Sequence, residues 1–371
     1  MKKSNIPFVG LHAHSVAGSP FDALGYPQDH MDFAYENGCE ALALTDHGNM
    51  NGMSYQVLHA KKMKEDGKNF KPIFGVEAYF IPSIDRWNEE RDRAKKDKKR
   101  ASEVKDSTTM SVENEGETKM SKSILNQRSH LILLAQNQTG LSNIFAMISK
   151  SNSDEYFFRF PRVDYEVLRE HSEGVIASSA CMGGVYAADF WKFWDGENEV
   201  ISDHEACLEA FRETTREMVS IFGDRWYGEL QWHTDKKQHL INELVIQMHK
   251  EFGIKLISTA DSHYPNPDAW KDRELYKRLG FLGKGKPTWL SDELPESVAE
   301  VGYELYPKNG DQMWESYKHY TELNGVEYDD DLIMDSITET HNIAFNRIEA
   351  FMPDNEVRLP SFVVPDGYTA D

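Results

Sequence analysis

The chain has 371 residues, 40% of them hydrophobic, and a formal charge of −21 from 41 Lys and Arg against 62 Asp and Glu. That length supplies a large buried core without cross-links, and the charge excludes a basic nucleic-acid coat, so any polynucleotide has to be met by a local patch. Three cysteines, Cys39, Cys181 and Cys207, with no CxxC pair, exclude a disulfide framework and a thiolate zinc finger and point to a reducing compartment. The first ten residues, MKKSNIPFVG, hold two lysines but no apolar stretch of a secretory signal, and no apolar run reaches the roughly 18 residues of a membrane span, so a cytoplasmic protein without a membrane partner is expected.

In chain order, the apolar run Phe8–Leu11 has strand length and leads into His12-Ala13-His14, with Asp22 on the following loop. Helical spacing over Gln28–Glu36 ends at Gly38; Ala41–Leu44 leads into Thr45-Asp46-His47-Gly48; a second helical stretch, Ser54–Glu65, ends at Gly67; and Ile73–Val76 leads into Glu77. Residues 85–128 mix both charge signs with Ser, Thr and Gly and read as an exposed, mobile insertion, whose basic group Lys95, Lys96, Lys98, Lys99 and Arg100 reads as a solvated charge run, with a phosphate contact as the alternative. Beyond it come His130 and Leu131–Leu134, then Gly174–Ala177 running on through Ala180 to Cys181 and a Gly183-Gly184 turn. Helical stretches Glu205–Phe222 and Lys236–Phe252, closed by Gly223 and Gly253, separate Trp226–Leu230 from Lys255–Ser258, which leads into Asp261-Ser262-His263. From residue 286 to 371 the composition turns acidic with Tyr and Met, and this part is expected to be a linker leading out of a 1–285 domain. Strands alternating with helices predict a parallel α/β architecture, and seven strand-length runs suit a closed barrel.

Chemistry collects where these strands end. Residues two apart in an extended chain face the same side, so His12 and His14 can address one cation. Five strand ends carry His, Asp, Glu or Cys, and in closed α/β barrels the site is built at the carboxyl ends of the strands, so residues spread over the sequence converge there. An imidazole-rich set with carboxylates and one thiol suits zinc or manganese and disfavours calcium. Asp46 either orients a ligand from behind or caps the helix that follows.

At these residues the sequence resembles the PHP (polymerase and histidinol phosphatase) superfamily. His12, His14, Asp22, His47, Glu77, His130, Cys181, Asp261 and His263 match, in order, its metal-ligand positions. The stretches Phe160-Pro161-Arg162-Val163-Asp164, Ile176–Cys181, Phe222–Tyr227 and Tyr306-Pro307-Lys308-Asn309 look like the N-terminal region of the DNA polymerase III alpha subunits of bacteria and phages. The resemblance implies a distorted (β/α)7 barrel and three divalent metals, zinc or manganese, alone or mixed with magnesium or iron. It implies His12, His14, Glu77 and Asp261 around the first, Asp22, His47 and His263 around the second, and Glu77, His130 and Cys181 around the third. Catalytic roles then fall to Asp22, His47, Glu77 and Asp261. His130 precedes its apolar strand, so its role rests on the resemblance alone.

The implied activity is hydrolytic trimming of DNA 3′ ends, a 3′–5′ exonuclease for proofreading within a DNA-directed DNA polymerase. The palm that performs nucleotidyl transfer lies beyond the segment resembled, so this chain is not expected to polymerise alone; palm, fingers and clamp-binding parts would sit in a second chain or be missing from a fragment. The rivals are a non-catalytic, metal-braced scaffold of a split polymerase and a small-molecule phosphatase of the histidinol phosphatase kind. No GxSxG elbow supports a serine nucleophile, Gly280, Gly283 and Gly285 read as a plain loop, and Asp329, Asp330 and Asp331 read as solvated surface. Arg159 and Arg162 with Phe157, Phe158 and Phe160 offer cations and stacking faces to DNA, with core packing the alternative for the rings.

Overall fold

The computed structural model describes residues 4–105, 127–281 and 295–353. Ten strands occur among them: β1 (Ala41–Leu44), β2 (Lys71–Phe80), β3 (Ser129–Ala135), β4 (Phe157–Phe158), β5 (Phe160–Pro161), β6 (Val175–Ser178), β7 (Trp194–Asp195), β8 (Val200–Ile201), β9 (Trp226–Leu230) and β10 (Lys255–Ser258). Six form one sheet in the order β1-β2-β3-β6-β9-β10, while β4–β5 and β7–β8 are separate two-stranded ribbons. The remaining apolar run closes the sheet: Gly10 bridges Leu42 beyond β2's partner edge and Ala13 bridges Ser262 just after β10. Backbone bonds Ala43 N to Gly10 O (2.8 Å) and His14 N to Ser262 O (2.7 Å) stitch both edges to this segment. The result is the α/β barrel expected, with residues 10–13 as its seventh stave.

Period-two alternation sorts the strand residues onto two faces. Ile73, Ile132, Leu134, Ile176, Tyr227 and Ile257 point inward and meet Val9, Leu11, Ala41 and Ala43 in the barrel interior. Phe74, Val76, Phe80, Leu131, Leu133, Val175 and Trp226 point outward into the layer under the helices. Leu11 and His12 both face inward, so the alternation slips there, which accounts for isolated bridges in place of a regular strand. One mouth of the barrel is stoppered by Ile343, Ala344 and Ile348.

Helices Pro27–Glu36, Met53–Glu65, His204–Phe222 and Lys236–Phe252 lie where 3.6-residue spacing places them. The glycines Gly38, Gly67, Gly223 and Gly253 after them all have left-handed φ, between 58° and 97°, which a side chain would oppose.

Three features depart from the sequence reading. The sheet is not wholly parallel, because β3 runs antiparallel to both β2 and β6. The charged stretch expected to lack structure forms a helix from Ile84 to Lys105, anchored by the fully buried Trp87, and residues 106–126 lie outside the described residues. The polar run winds up because its Lys, Arg, Glu and Ala are good helix formers and one apolar anchor pins the first turns. Residues 310–342, in the part read as a linker, are built into the same core: Met313, Tyr317, Ile333 and Ile337 are buried in it, and Thr340 Oγ1 accepts from Val9 N at 3.1 Å. Asp329 caps the helix Asp330–Asn342, Gly280 lies within the helix Trp270–Phe281, and Gly283 and Gly285 lie outside the described residues.

Candidate metal centre

The nine side chains singled out in the sequence meet at the mouth opposite the Ile343 stopper. Glu77 is at the centre: its Oε2 lies 2.9 Å from His12 Nε2, and its Oε1 lies 2.6 Å from His47 Nδ1 and 2.7 Å from His130 Nδ1. Asp261 Oδ1 lies 3.1 Å from the Nε2 atoms of both His12 and His14. Asp22 Oδ2 is 3.2 Å from His47 Nε2 and 3.7 Å from His263 Nε2, and Cys181 Sγ is 3.6 Å from His130 Nδ1. Three groups of donor atoms are close enough to share a cation: His12, His14 and Asp261; His14, His47 and His263; and His47, Glu77 and His130. They overlap the three sets implied by the resemblance, with His14 and His47 each standing between two of them.

The antiparallel β3 explains His130. Because that strand runs against its neighbours, its amino end lies beside their carboxyl ends, and the register pairs Tyr79 with His130 two steps from Glu77. Left-handed backbone occurs at Asp261 (φ 48°) and at Ala180 (φ 58°) just before Cys181, so both turns that present these ligands hold strained conformations, as functional sites often do.

Burial and charge define the chemistry. Burial alone would lower the His12 pKa, but the Asp261 and Glu229 carboxylates reverse this and hold it well above the ordinary value. His47, against Glu77 and Asp22, is likewise raised despite burial, to about 10, whereas burial and the neighbouring His47 and His263 lower His14 to about 3. The surrounding imidazoles overcome burial at Asp22, Glu77 and Asp261 and keep all three well below the usual carboxylate range. Burial, then Asp261 and Glu77, push the Cys181 thiol well up. Asp22 Oδ1 and Asp261 Oδ1 are buried without a hydrogen-bond donor. Carboxylate oxygens left without a hydrogen bond among closely set imidazole nitrogens fit divalent cations of the zinc and manganese type. The protons on His12, His47 and Cys181 must leave before those atoms can act as ligands.

Sequence reasoning missed Glu229. It sits on the inner face of β9, is 2% exposed, and its Oε1 accepts from His12 Nδ1 at 2.7 Å; Ser178 Oγ donates to its Oε2 at 2.7 Å and Thr259 Oγ1 to its Oε1. This fixes the His12 tautomer and leaves Nε2 turned to the centre. The signal was a lone acid inside the apolar run Trp226–Leu230. Asp46 does not cap a helix, since the next one starts after Gly52. It accepts from Ser15 N (2.7 Å) and from Ser19 Oγ (2.9 Å), and Ser19 Oγ lies 3.4 Å from His14 Nδ1. A Cβ at Gly18 would sit 2.5 Å from the Asp46 carboxylate, so this buttress requires glycine there.

Residues 10–233 match the family model described as "PHP domain". The chain belongs to the PHP domain family. Relatives of this PHP chain include the DNA polymerase III subunit alpha of Borreliella burgdorferi, 29% identical over 85% of the chain and 22% of the relative, and that of Aquifex aeolicus, 31% identical over 70% and 18%. The chain therefore spans about a fifth of the length of these relatives. Among solved structures, histidinol phosphate phosphatase from Lactococcus lactis, in complex with zinc, L-histidinol and phosphate, aligns with 74% of this chain and 94% of its own at 14% identity and a TM-score of 0.30. Among the described residues no helix is long and apolar enough to cross a membrane.

Proposed function

We propose that this PHP domain is a metal-dependent phosphodiesterase that trims DNA 3′ ends in the 3′–5′ direction, as a proofreading part of a replicative polymerase in the cytoplasm, with DNA and the remaining polymerase parts as its partners. The observation that supports the reading is the convergence of His12, His14, Asp22, His47, Glu77, His130, Cys181, Asp261 and His263 at one barrel mouth, with buried Asp22 and Asp261 oxygens that have no hydrogen-bond donor. The kinship with DNA polymerase III alpha subunits favours DNA as the substrate.

Three divalent cations, zinc or manganese, would be held by the three donor sets and would activate water and neutralise the scissile phosphate without a protein nucleophile. Glu77 presents one oxygen to His12 and the other to His47 and His130, and so ties the sets together. Asp22, beside His47 and His263 and about a third exposed, stands at the rim, where a phosphate would enter. Glu229 holds His12 and Asp46 holds Ser19, so the inner ligands arrive preorganised.

The test is to load purified protein with zinc or manganese, count metals by elemental analysis, and assay a 3′-labelled single-stranded oligonucleotide. Wild type should release nucleotides from the 3′ end, and His12→Ala and Asp261→Ala should not. Absence of metal-dependent cleavage, with chelation strongly lowering the melting temperature, would establish a metal-braced scaffold instead. Hydrolysis of a phosphomonoester but not DNA would establish a small-molecule phosphatase.

A further inference from the structure

A cationic step leads out of the metal centre. Glu77 and Tyr79 on β2, and Ile132 and His130 on β3, share the inner face through the pairings Glu77 with Ile132 and Tyr79 with His130. Arg128 lies two residues before His130, so period-two geometry sets it on the same face, roughly 7 Å further out. Ring contacts trace the same path. Tyr79 lies 6.3 Å from His47 and 5.6 Å from His130, Phe160 lies 5.3 Å from Tyr79, and the Arg128 guanidinium lies 4.1 Å from the Phe160 ring centroid. Glu77 is fully buried, Tyr79, His130 and Phe160 are partly exposed, and Arg128 is exposed.

Of the two arginines that the sequence offered to DNA, Arg159 is exposed with its guanidinium 5.4 Å from the Phe158 ring centroid, whereas Arg162 does not face outward. Arg162 is 1% exposed, with Nε donating to Gln127 O and Nη1 to Phe158 O and Phe160 O, and it braces the β4–β5 turn. Arg128 pairs with no carboxylate among the described residues, in a chain whose net charge is −21. A guanidinium laid on an aromatic ring keeps its planar N–H fork free for phosphate and loses little freedom when it binds. One phosphate at the metal centre and the next at Arg128 corresponds to one step along an extended polynucleotide, with Phe160 and Tyr79 offering faces to bases.

We propose that Arg128, seated on Phe160, binds the phosphate next to the scissile one and selects a single-stranded DNA end over small phosphoesters. This rests on the reading of the centre as a DNA phosphodiesterase. The test uses the full chain with zinc or manganese and a single-stranded oligonucleotide protected by phosphorothioate linkages, followed by fluorescence anisotropy at several salt concentrations. Arg128→Ala should weaken binding about tenfold and reduce the magnitude of the salt slope by about 0.7, the share of one phosphate contact on single strands. Arg128→Lys should recover the slope but only part of the affinity. Arg216→Ala, which removes an equal charge from the outer helix His204–Phe222, should change neither. Hydrolysis of bis(p-nitrophenyl) phosphate should keep its kcat/KM in Arg128→Ala.

Unchanged oligonucleotide affinity in Arg128→Ala, equal losses in Arg128→Ala and Arg216→Ala, or no binding by wild type would overturn the inference. Weaker binding by Arg128→Ala in a protein that hydrolyses no diester would uphold it and overturn the catalytic reading, whereas hydrolysis with unaltered binding would do the reverse.

Discussion

The two mouths of the barrel are built from the same seven staves and have opposite chemistry. At one, Ile343, Ala344 and Ile348 close over Tyr227, Ile73 and Leu134; Tyr227 Oη reaches Glu339, and Lys71 Nζ donates to Ala344 O and Ile348 O. At the other, Glu77, Asp261, His12 and His14 are buried at 9% exposure or less and are held by Glu229, Ser19 and Asp46. The apolar end owes its stability to area removed from water, which is forgiving of sequence as long as volume is kept. The polar end has stripped charged groups of water, which is costly unless each meets a partner or a cation. A substitution at the first mouth should therefore act on stability, and one at the second on metal binding and chemistry.

The sharpest separation should come from Glu77→Gln, which removes the charge shared by the three donor sets. Activity with zinc or manganese should fall on the order of 10³-fold, while circular dichroism shows a folded chain. At the other mouth, Ile343→Ala should cost about 3 kcal/mol in urea unfolding and leave the metal affinity of the folded protein unchanged. Equal effects of the two variants on metal affinity would break the distinction between the mouths.

Lys308 tests it from another side, as a buried cation away from the metal centre. Burial lowers its pKa to about 8 from 10.5, against the opposing Glu304. The folded state thus holds fewer protons than the unfolded state between those values, so stability rises with pH through that window. Relative to Lys308→Met, wild type should gain about 1.5 kcal/mol between about pH 8 and pH 9.5, read from denaturation midpoints at each pH. A flat difference would mean that Lys308 is solvated. The smallest effect should be that of Glu229→Gln, which preserves the acceptor for His12 Nδ1 but drops its charge: metal affinity by calorimetry should fall about tenfold with little change in fold.

Much of this molecule was legible in its sequence. Ala41–Leu44, Trp226–Leu230 and Lys255–Ser258 are strands at the bounds their apolar runs gave, because strands buried on both faces read as continuous hydrophobic stretches. The ligand residues stood out because His, Asp, Glu and Cys at strand ends have little reason to be there in a parallel barrel other than the site. The direction of β3 was not legible, since an apolar run carries no sign of which way its neighbours run. The helix Ile84–Lys105 was misjudged because its composition is that of a solvated segment and of a good helix alike.

The sequence by itself determined the alternation of strands and helices, the glycine helix ends and the inventory of candidate metal-ligating side chains, because these depend on local periodicity, backbone freedom and residue chemistry. Only the tertiary structure decided that residues 10–13 close the barrel, that His130 reaches the same mouth from a reversed strand, that Glu229 stands behind His12, and that Arg128 rather than Arg162 faces outward. Each of these turns on which residues far apart in the chain become neighbours, and that is set by packing the whole sheet closed.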